Sequence, residues 1–215
     1  MKGEEAIVYL IDDDQAAREG MTDLLRSVGH KVHPFGSAQE FLDSARPDAP
    51  GCIVLDVRLP GPSGLELQRT LTKSNIHLPI IFVSGHGDIP MSVRALKAGA
   101  IEFLTKPVHE QQLLDAVQTG IERDRARREE AKVVAELRQR FESLTPRERE
   151  IFTLIVAGHR NKFIAAEAGM SEMTVKVHRT HVMQKMRANS VIDLARMADQ
   201  LGVPHQGRLA SKPKD

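Results

Sequence analysis

Cys52-Ile53-Val54-Leu55-Asp56-Val57-Arg58-Leu59-Pro60-Gly61 is the stretch that decides the fold. It is a short apolar run, bounded by Pro50-Gly51 before it and Pro60-Gly61 after it, and it reads as a strand buried on both faces. Asp56 stands at its far end. Open α/β sheets hold their ligands at the carboxyl ends of buried parallel strands, which is where this carboxylate lies. A turn-forming Asp is the plainer account of one residue, so the other strand ends have to decide.

Upstream, Ala6-Ile7-Val8-Tyr9-Leu10-Ile11 is a second buried strand, and it ends in Asp12-Asp13-Asp14. Asp14 is the expected N-cap of the helix that follows, with Leu24, Leu25 and Val28 on its apolar side and Gly29 as its stop. Helix-dipole complementation alone accounts poorly for three adjacent carboxylates, because like charges oppose one another's ionisation. A bound cation would relieve them. Lys31 to Pro34 reads as a short strand, and Ser37-Ala38-Gln39-Glu40 as a capping box.

Downstream, Ser63-Gly64-Leu65-Glu66 is another capping box. Leu78-Pro79-Ile80-Ile81-Phe82-Val83 is a fourth strand, ending in Ser84-Gly85, and Asp88 is expected to cap a helix through Ala98. Ile101-Glu102-Phe103-Leu104 is a fifth strand, ending in Thr105-Lys106-Pro107. Strands alternating with helices of this length imply a five-stranded, doubly wound parallel sheet. All its carboxyl ends share one edge, so Asp12, Asp13, Asp56, Ser84 and Lys106 gather there from distant parts of the chain.

That set suits phosphoryl chemistry. The three carboxylates can hold Mg²⁺, and Asp56 can attack phosphorus to give an aspartyl phosphate. Lys106 and the ion would neutralise the transferring group, and the Ser84 hydroxyl can donate to a phosphate oxygen. Singly, each residue has a structural explanation as a cap, a turn or a surface ammonium. Complementary groups on four strand ends make a joint coincidence a poor account.

From His109 onward, Leu113, Leu114, Val117 and Ile121 keep helical spacing, and Glu122 to Lys132 is charged on every face. Apolar spacing resumes at Val134, Leu137, Phe141 and Leu144. One long helix, or two nearly continuous ones, with a solvated middle is expected. The net charge of +1 hides an asymmetry across this segment: residues 1–121 carry 11 Lys/Arg and 16 Asp/Glu, and residues 122–215 carry 19 and 13. An acidic half joined to a basic half implies two modules, the second facing a polyanion. The single cysteine, Cys52, excludes an intrachain disulfide framework and fits a reducing cytoplasm. No signal peptide or membrane span is evident.

In the second half, Thr145-Pro146-Arg147-Glu148 is a strong helix start. Further short helices are expected at 161–168, 172–187 and 190–201, with a tight turn at Ala168-Gly169-Met170-Ser171, a four-helix helix-turn-helix arrangement. In the third of these helices Val175, Val182 and Met186 keep core spacing. Thr174, Lys176, Val177, Arg179 and Thr180 are the expected groove residues, and a Lys, a methyl-bearing Val and a Thr suit base edges and thymine methyls. Arg160, Lys162 and Lys185 are expected on phosphates.

Two resemblances emerge from these motifs. Residues 6–120 resemble the receiver domain of two-component response regulators: Asp12-Asp13, Asp56, Ser84 and Lys106-Pro107 each follow the matching strand, and Ser84-Gly85-His86-Gly87-Asp88-Ile89-Pro90-Met91 is similar to the FixJ branch. The likeness implies a flavodoxin-like fold, Asp56 as phosphoacceptor, Asp12, Asp13 and Asp56 as Mg²⁺ ligands and Lys106 as phosphate partner. It also implies a cis Lys106-Pro107 bond and Phe103 as an aromatic switch. Residues 144–201 resemble the LuxR-type DNA-binding domain of the FixJ/NarL family, through Leu144-Thr145-Pro146-Arg147-Glu148-Arg149-Glu150, Gly158, Asn161-Lys162, Ile164-Ala165 and Thr174-Val175-Lys176-Val177-His178. Phe163 and Ala168 depart from that pattern.

The expected layout is a receiver at 1–121, a helical linker at 122–143, a DNA-binding domain at 144–203 and a disordered tail at 204–215. The expected partners are a sensor histidine kinase, double-stranded DNA, a second copy of the chain after phosphorylation, and RNA polymerase. Haloacid-dehalogenase-like phosphatases use a similar residue set, but they place a general-acid Asp two residues after the nucleophile, where this chain has Arg58. A protein-binding adaptor or an RNA-binding regulator is a second alternative, against which the 174–178 motif argues.

Overall fold

A computed structural model describes residues 5–85 and 89–204. The expected Asp88 cap and the tail from 205 onward lie outside the described residues. Two compact units divide between Glu129 and Glu130.

In the first unit, strands β1 (Ile7–Ile11), β2 (Lys31–Phe35), β3 (Gly51–Asp56), β4 (Ile80–Ser84) and β5 (Glu102–Thr105) form one sheet of order β2-β1-β3-β4-β5, parallel throughout. Helices α1 (Gln15–Ser27), α2 (Ala38–Asp43), α3 (Gly64–Lys73), α4 (Ile89–Lys97) and the start of α5 (Glu110–Glu142) alternate with the strands. β1, β3 and β4 are buried along their whole length, as their apolar composition requires. Two apolar layers follow from strand alternation. Ile7, Tyr9, Ile11, Ile53, Leu55 and Phe82 face one core, and Val8, Leu10, Cys52, Val54, Ile81 and Val83 the other.

The caps behave as their residue types predict, with one departure. Asp14 accepts from the amides of Ala16 and Ala17. Ser63 and Glu66 form a reciprocal capping box. Ser37 accepts from the Glu40 amide, but the Glu40 carboxylate turns to the amide of Gly36 at 2.8 Å, one residue before the cap. The expected box is therefore only half made. Burial pushes the Cys52 thiol up to about 12, with Asp124 adding to the rise, which makes it a packing residue and not a nucleophile.

α5 is one continuous helix of 33 residues. Its approach to the sheet depends on Gly120, where an added Cβ would stand 2.8 Å from the Cβ of Cys52. One turn further on, Asp124 is fully buried at 0 % exposure. This corrects the expectation that 122–132 is solvated on every face. The Asp124 carboxylate accepts from the Gly51 amide at 3.0 Å, from Arg127 at 2.7 and 3.0 Å, and from Arg128 Nε at 2.8 Å. Arg128 also pairs with Asp48. The charged run thus hides one residue that ties α5 to the amide at the amino end of β3.

The second unit holds α6 (Pro146–Val156), α7 (Asn161–Glu167), α8 (Glu172–Met186) and α9 (Val191–Leu201) around Ile151, Phe152, Ile155, Ile164, Val175, Val182 and Leu194. Leu137, from the last part of α5, is buried in the same core. Thr145 and Glu148 close a reciprocal capping box at the start of α6, with Pro146 at its first position. α7 and α8 are separated by the turn at Gly169, whose φ of 62° favours glycine.

Candidate functional site

The parallel order brings the ends of β1, β3, β4 and β5 to one edge. Asp12 follows β1 and is fully buried, and Asp56 closes β3 at 7 % exposure. Lys106 follows β5 and bridges them: its Nζ donates to Asp12 Oδ2 and to Asp56 Oδ2, both at 2.7 Å. The other oxygen of each carboxylate is held by backbone. Asp12 Oδ1 accepts from the Asp14 amide and Asp56 Oδ1 from the Arg58 amide, both at 3.0 Å. The two side chains are thereby fixed from both ends.

Asp13 is exposed beside them. One ligand oxygen from each of Asp12, Asp13 and Asp56 lies within 4.8 Å of the others, a group that could hold a metal ion. Three hard oxygen donors with an open side suit Mg²⁺, which keeps part of its water shell. Burial raises the Asp12 carboxyl above its ordinary range, the Asp56 charge adds to the rise, and the Lys106 hydrogen bond only partly offsets it. Partial burial works to lower the Lys106 ammonium, but its hydrogen bonds to Asp12 and Asp56 outweigh that and raise it.

The neighbouring backbone is equally constrained. Gly64, the first residue of α3, lies so close that a Cβ there would stand 2.3 Å from the Asp56 carbonyl oxygen. Ser84 closes β4 and is buried, and its carbonyl accepts from the Lys106 amide at 2.8 Å. The Lys106-Pro107 bond is cis. Phe103 is half-buried, its ring centroid 6.2 Å from that of Phe82. Asp12, Asp56 and Lys106 are thus in direct contact, Asp13 lies within reach of the two carboxylates, and Ser84 and Phe103 sit on adjoining strands.

In the second unit, α8 buries Val175, Val182 and Met186. Thr174, Lys176, Val177 and Thr180 are exposed, and Arg179 is half-buried, where burial lowers its pKa. Arg160 and Lys162, at the start of α7, are exposed as well. Lys185, expected on phosphate, has a partner within the protein. Its ammonium donates to the buried Glu148 carboxylate at 2.6 Å and to the Ser143 carbonyl at 3.3 Å. Sequence reasoning missed this partner because Glu148 is 37 residues away and reads locally as a helix cap.

An aspartyl pair bridged by a lysine at the edge of a parallel sheet, followed in the chain by a helix-turn-helix unit, defines a response-regulator architecture. Residues 8–118 match the response regulator receiver domain, and residues 142–198 match the bacterial regulatory proteins of the luxR family. Nodulation protein W of Bradyrhizobium diazoefficiens is 55% identical over 199 residues, covering 93% of this chain and 88% of that protein. Response regulator protein TmoT of Ectopseudomonas mendocina is 45% identical over 201 residues, covering 94% and 91%. The solved structure of the response regulator StyR is similar with a TM-score of 0.81 and 47% identity, over 91% of this chain and 99% of that one. The chain belongs to the two-component response regulators with a LuxR-type DNA-binding domain, the FixJ/NarL family, and its role is in transcription regulation. No described helix is long and apolar enough to cross a membrane.

Proposed function

We propose that a sensor histidine kinase phosphorylates Asp56, and that the phosphorylated chain dimerises, binds DNA and activates transcription through contact with RNA polymerase, in the cytoplasm. The observation that carries this reading is the Lys106 ammonium shared by Asp12 and Asp56 at 2.7 Å each, with Asp13 alongside. An Asp56 oxygen forms a bond to phosphorus as the donor's phosphorus–nitrogen bond breaks, and the leaving imidazole keeps the bonding pair and takes a proton from solvent. Mg²⁺ held by Asp12, Asp13 and Asp56 would neutralise charge on the transferring group. Lys106, already against Asp56, is placed to pair with a phosphoryl oxygen there.

Asp56 accepts and loses its own phosphoryl group, and the chain turns over no other substrate. The phosphoryl group then draws on the Ser84 hydroxyl, and Phe103 completes its half-made packing against Phe82. This shifts a pre-existing two-state equilibrium towards the dimer. A dimer presents two α8 helices to two half-sites. Thr174, Lys176, Val177, Arg179 and Thr180 would face bases, while Arg160 and Lys162 hold phosphates.

Sedimentation of wild type and Asp56→Asn with Mg²⁺, with and without acetyl phosphate, tests the scheme. Only wild type is expected to gain mass by phosphorylation, dimerise and tighten on DNA. Equal dimerisation and DNA binding by Asp56→Asn would refute it.

A further inference from the structure

The outward face of α8 carries a residue that the sequence motif does not single out. Met173 is 69 % exposed in the first turn of the helix, and Val177, four residues on, is 48 % exposed. Residues four apart share a helix face, and Thr180 continues the same line. The hydroxyls on this helix are turned back on the protein. Thr180 donates to the Lys176 carbonyl at 3.1 Å, and the Thr174 and Ser171 hydroxyls bond each other at 2.9 Å. The groups left to face outward along the line are therefore a thioether methyl, the Val177 methyls and the Thr180 methyl, beside the Lys176 ammonium.

Exposure of one apolar side chain is ordinary, but Met173 and Val177 lie one turn apart on the helix that the DNA-binding reading sets in the groove. The surroundings of that helix favour a polyanion. Residues 160–190 carry six Lys/Arg against two Asp/Glu, and Arg160, Lys162 and Lys176 are exposed. The apolar feature that a major groove offers is the 5-methyl group of thymine. We propose that Met173 is a specificity-determining residue that reads a second thymine methyl beside the one met by Val177. A half-site with two thymines close together would then be preferred. Four helical residues rise about 6 Å, and a base-pair step is about 3.4 Å, so the two thymines lie within about two base pairs. This rests on the DNA-binding reading above and deepens it.

Replacing single thymines by uracil removes the methyl and nothing else. The test uses the full chain with Mg²⁺ and acetyl phosphate, on a duplex enriched by the protein from a random pool. Two neighbouring thymines should each show about four-fold weaker binding as uracil, the worth of one buried methyl. Met173→Ala should abolish the effect at one of them and Val177→Ala at the other, while Met173→Leu should keep both. Circular dichroism of Met173→Ala should match wild type, since the side chain lies outside the core. An unchanged uracil profile in Met173→Ala overturns the inference and leaves DNA binding standing. Failure to enrich any duplex overturns both.

Discussion

The two ends of β3 carry buried carboxylates of opposite design. At the carboxyl end, Asp12, Asp13 and Asp56 face one ammonium, Lys106. At the amino end, Asp124 and Asp48 face two guanidiniums, Arg127 and Arg128, and Asp124 also takes the Gly51 amide. Asp12 and Asp124 are equally buried, though Asp124 accepts four hydrogen bonds and Asp12 two. What sets the two clusters apart is the charge left over. The first cluster has a formal surplus of two negative charges and the second has none. Burial with a partner marks a carboxylate as important to the fold, and only the first cluster keeps a negative surplus that a cation could neutralise.

The comparison can be broken most decisively at Asp56. Asp56→Asn should abolish the mass gain from acetyl phosphate, while the receiver stays as stable as wild type or becomes more so, because one of the crowded charges is gone. At the other end the outcome should reverse. Asp124→Ala should leave the acetyl phosphate reaction intact and cost about 3 kcal/mol in denaturant unfolding of the receiver, near the low end for breaking a buried pair because the arginines are partly exposed. An Asp124 variant as stable as wild type would mean that its ion pairs contribute nothing net.

A third test titrates Mg²⁺. At about ten times its Kd, the ion should stabilise the receiver by about 1.4 kcal/mol. Asp13→Ala should remove most of that gain, and Asp124→Asn should leave it unchanged. Stabilisation surviving in Asp13→Ala would place the ion elsewhere.

The last test lies in the second unit. Burial pushes the Glu148 carboxyl up, but the Lys185 ammonium and the Thr145 amide outweigh it and hold the pKa below its ordinary 4.5. A lowered carboxylate pKa means stability that is present above pH 4.5 and lost as pH falls through the folded value. Acid unfolding of the DNA-binding unit should therefore show this loss, and Glu148→Gln should reduce the pH dependence there. At neutral pH that variant should cost about 1.5–3 kcal/mol, the worth of a charge-assisted hydrogen bond. A Glu148→Gln profile parallel to wild type would remove the pair from the account.

The strands and the gathering of Asp12, Asp13, Asp56 and Lys106 at one sheet edge were legible in the sequence because each rests on local pattern. Continuous apolar runs mark β1, β3 and β4, and parallel winding then gathers their ends without further information. Asp124 was not legible. It sits in a run of alternating charge, and its i,i+4 link to Arg128 is weak evidence of burial. Its decisive partner, the Gly51 amide, is 73 residues away. Gly120 was the available signal, since a glycine inside a helical pattern often marks a close approach. The Glu148 partner of Lys185 was hidden in the same way, 37 residues away in the chain.

The Asp124 tie also decides where this protein can be cut and rejoined. Charge changes sign near residue 121, which makes that point attractive for excising the receiver or grafting it onto another output module. A fragment ending there loses the carboxylate that satisfies Gly51, and with it the ion pairs made by Arg127 and Arg128. A junction after Glu129 keeps them all, so hybrid regulators joined there should inherit an intact sensor half, whereas those joined eight residues earlier should not.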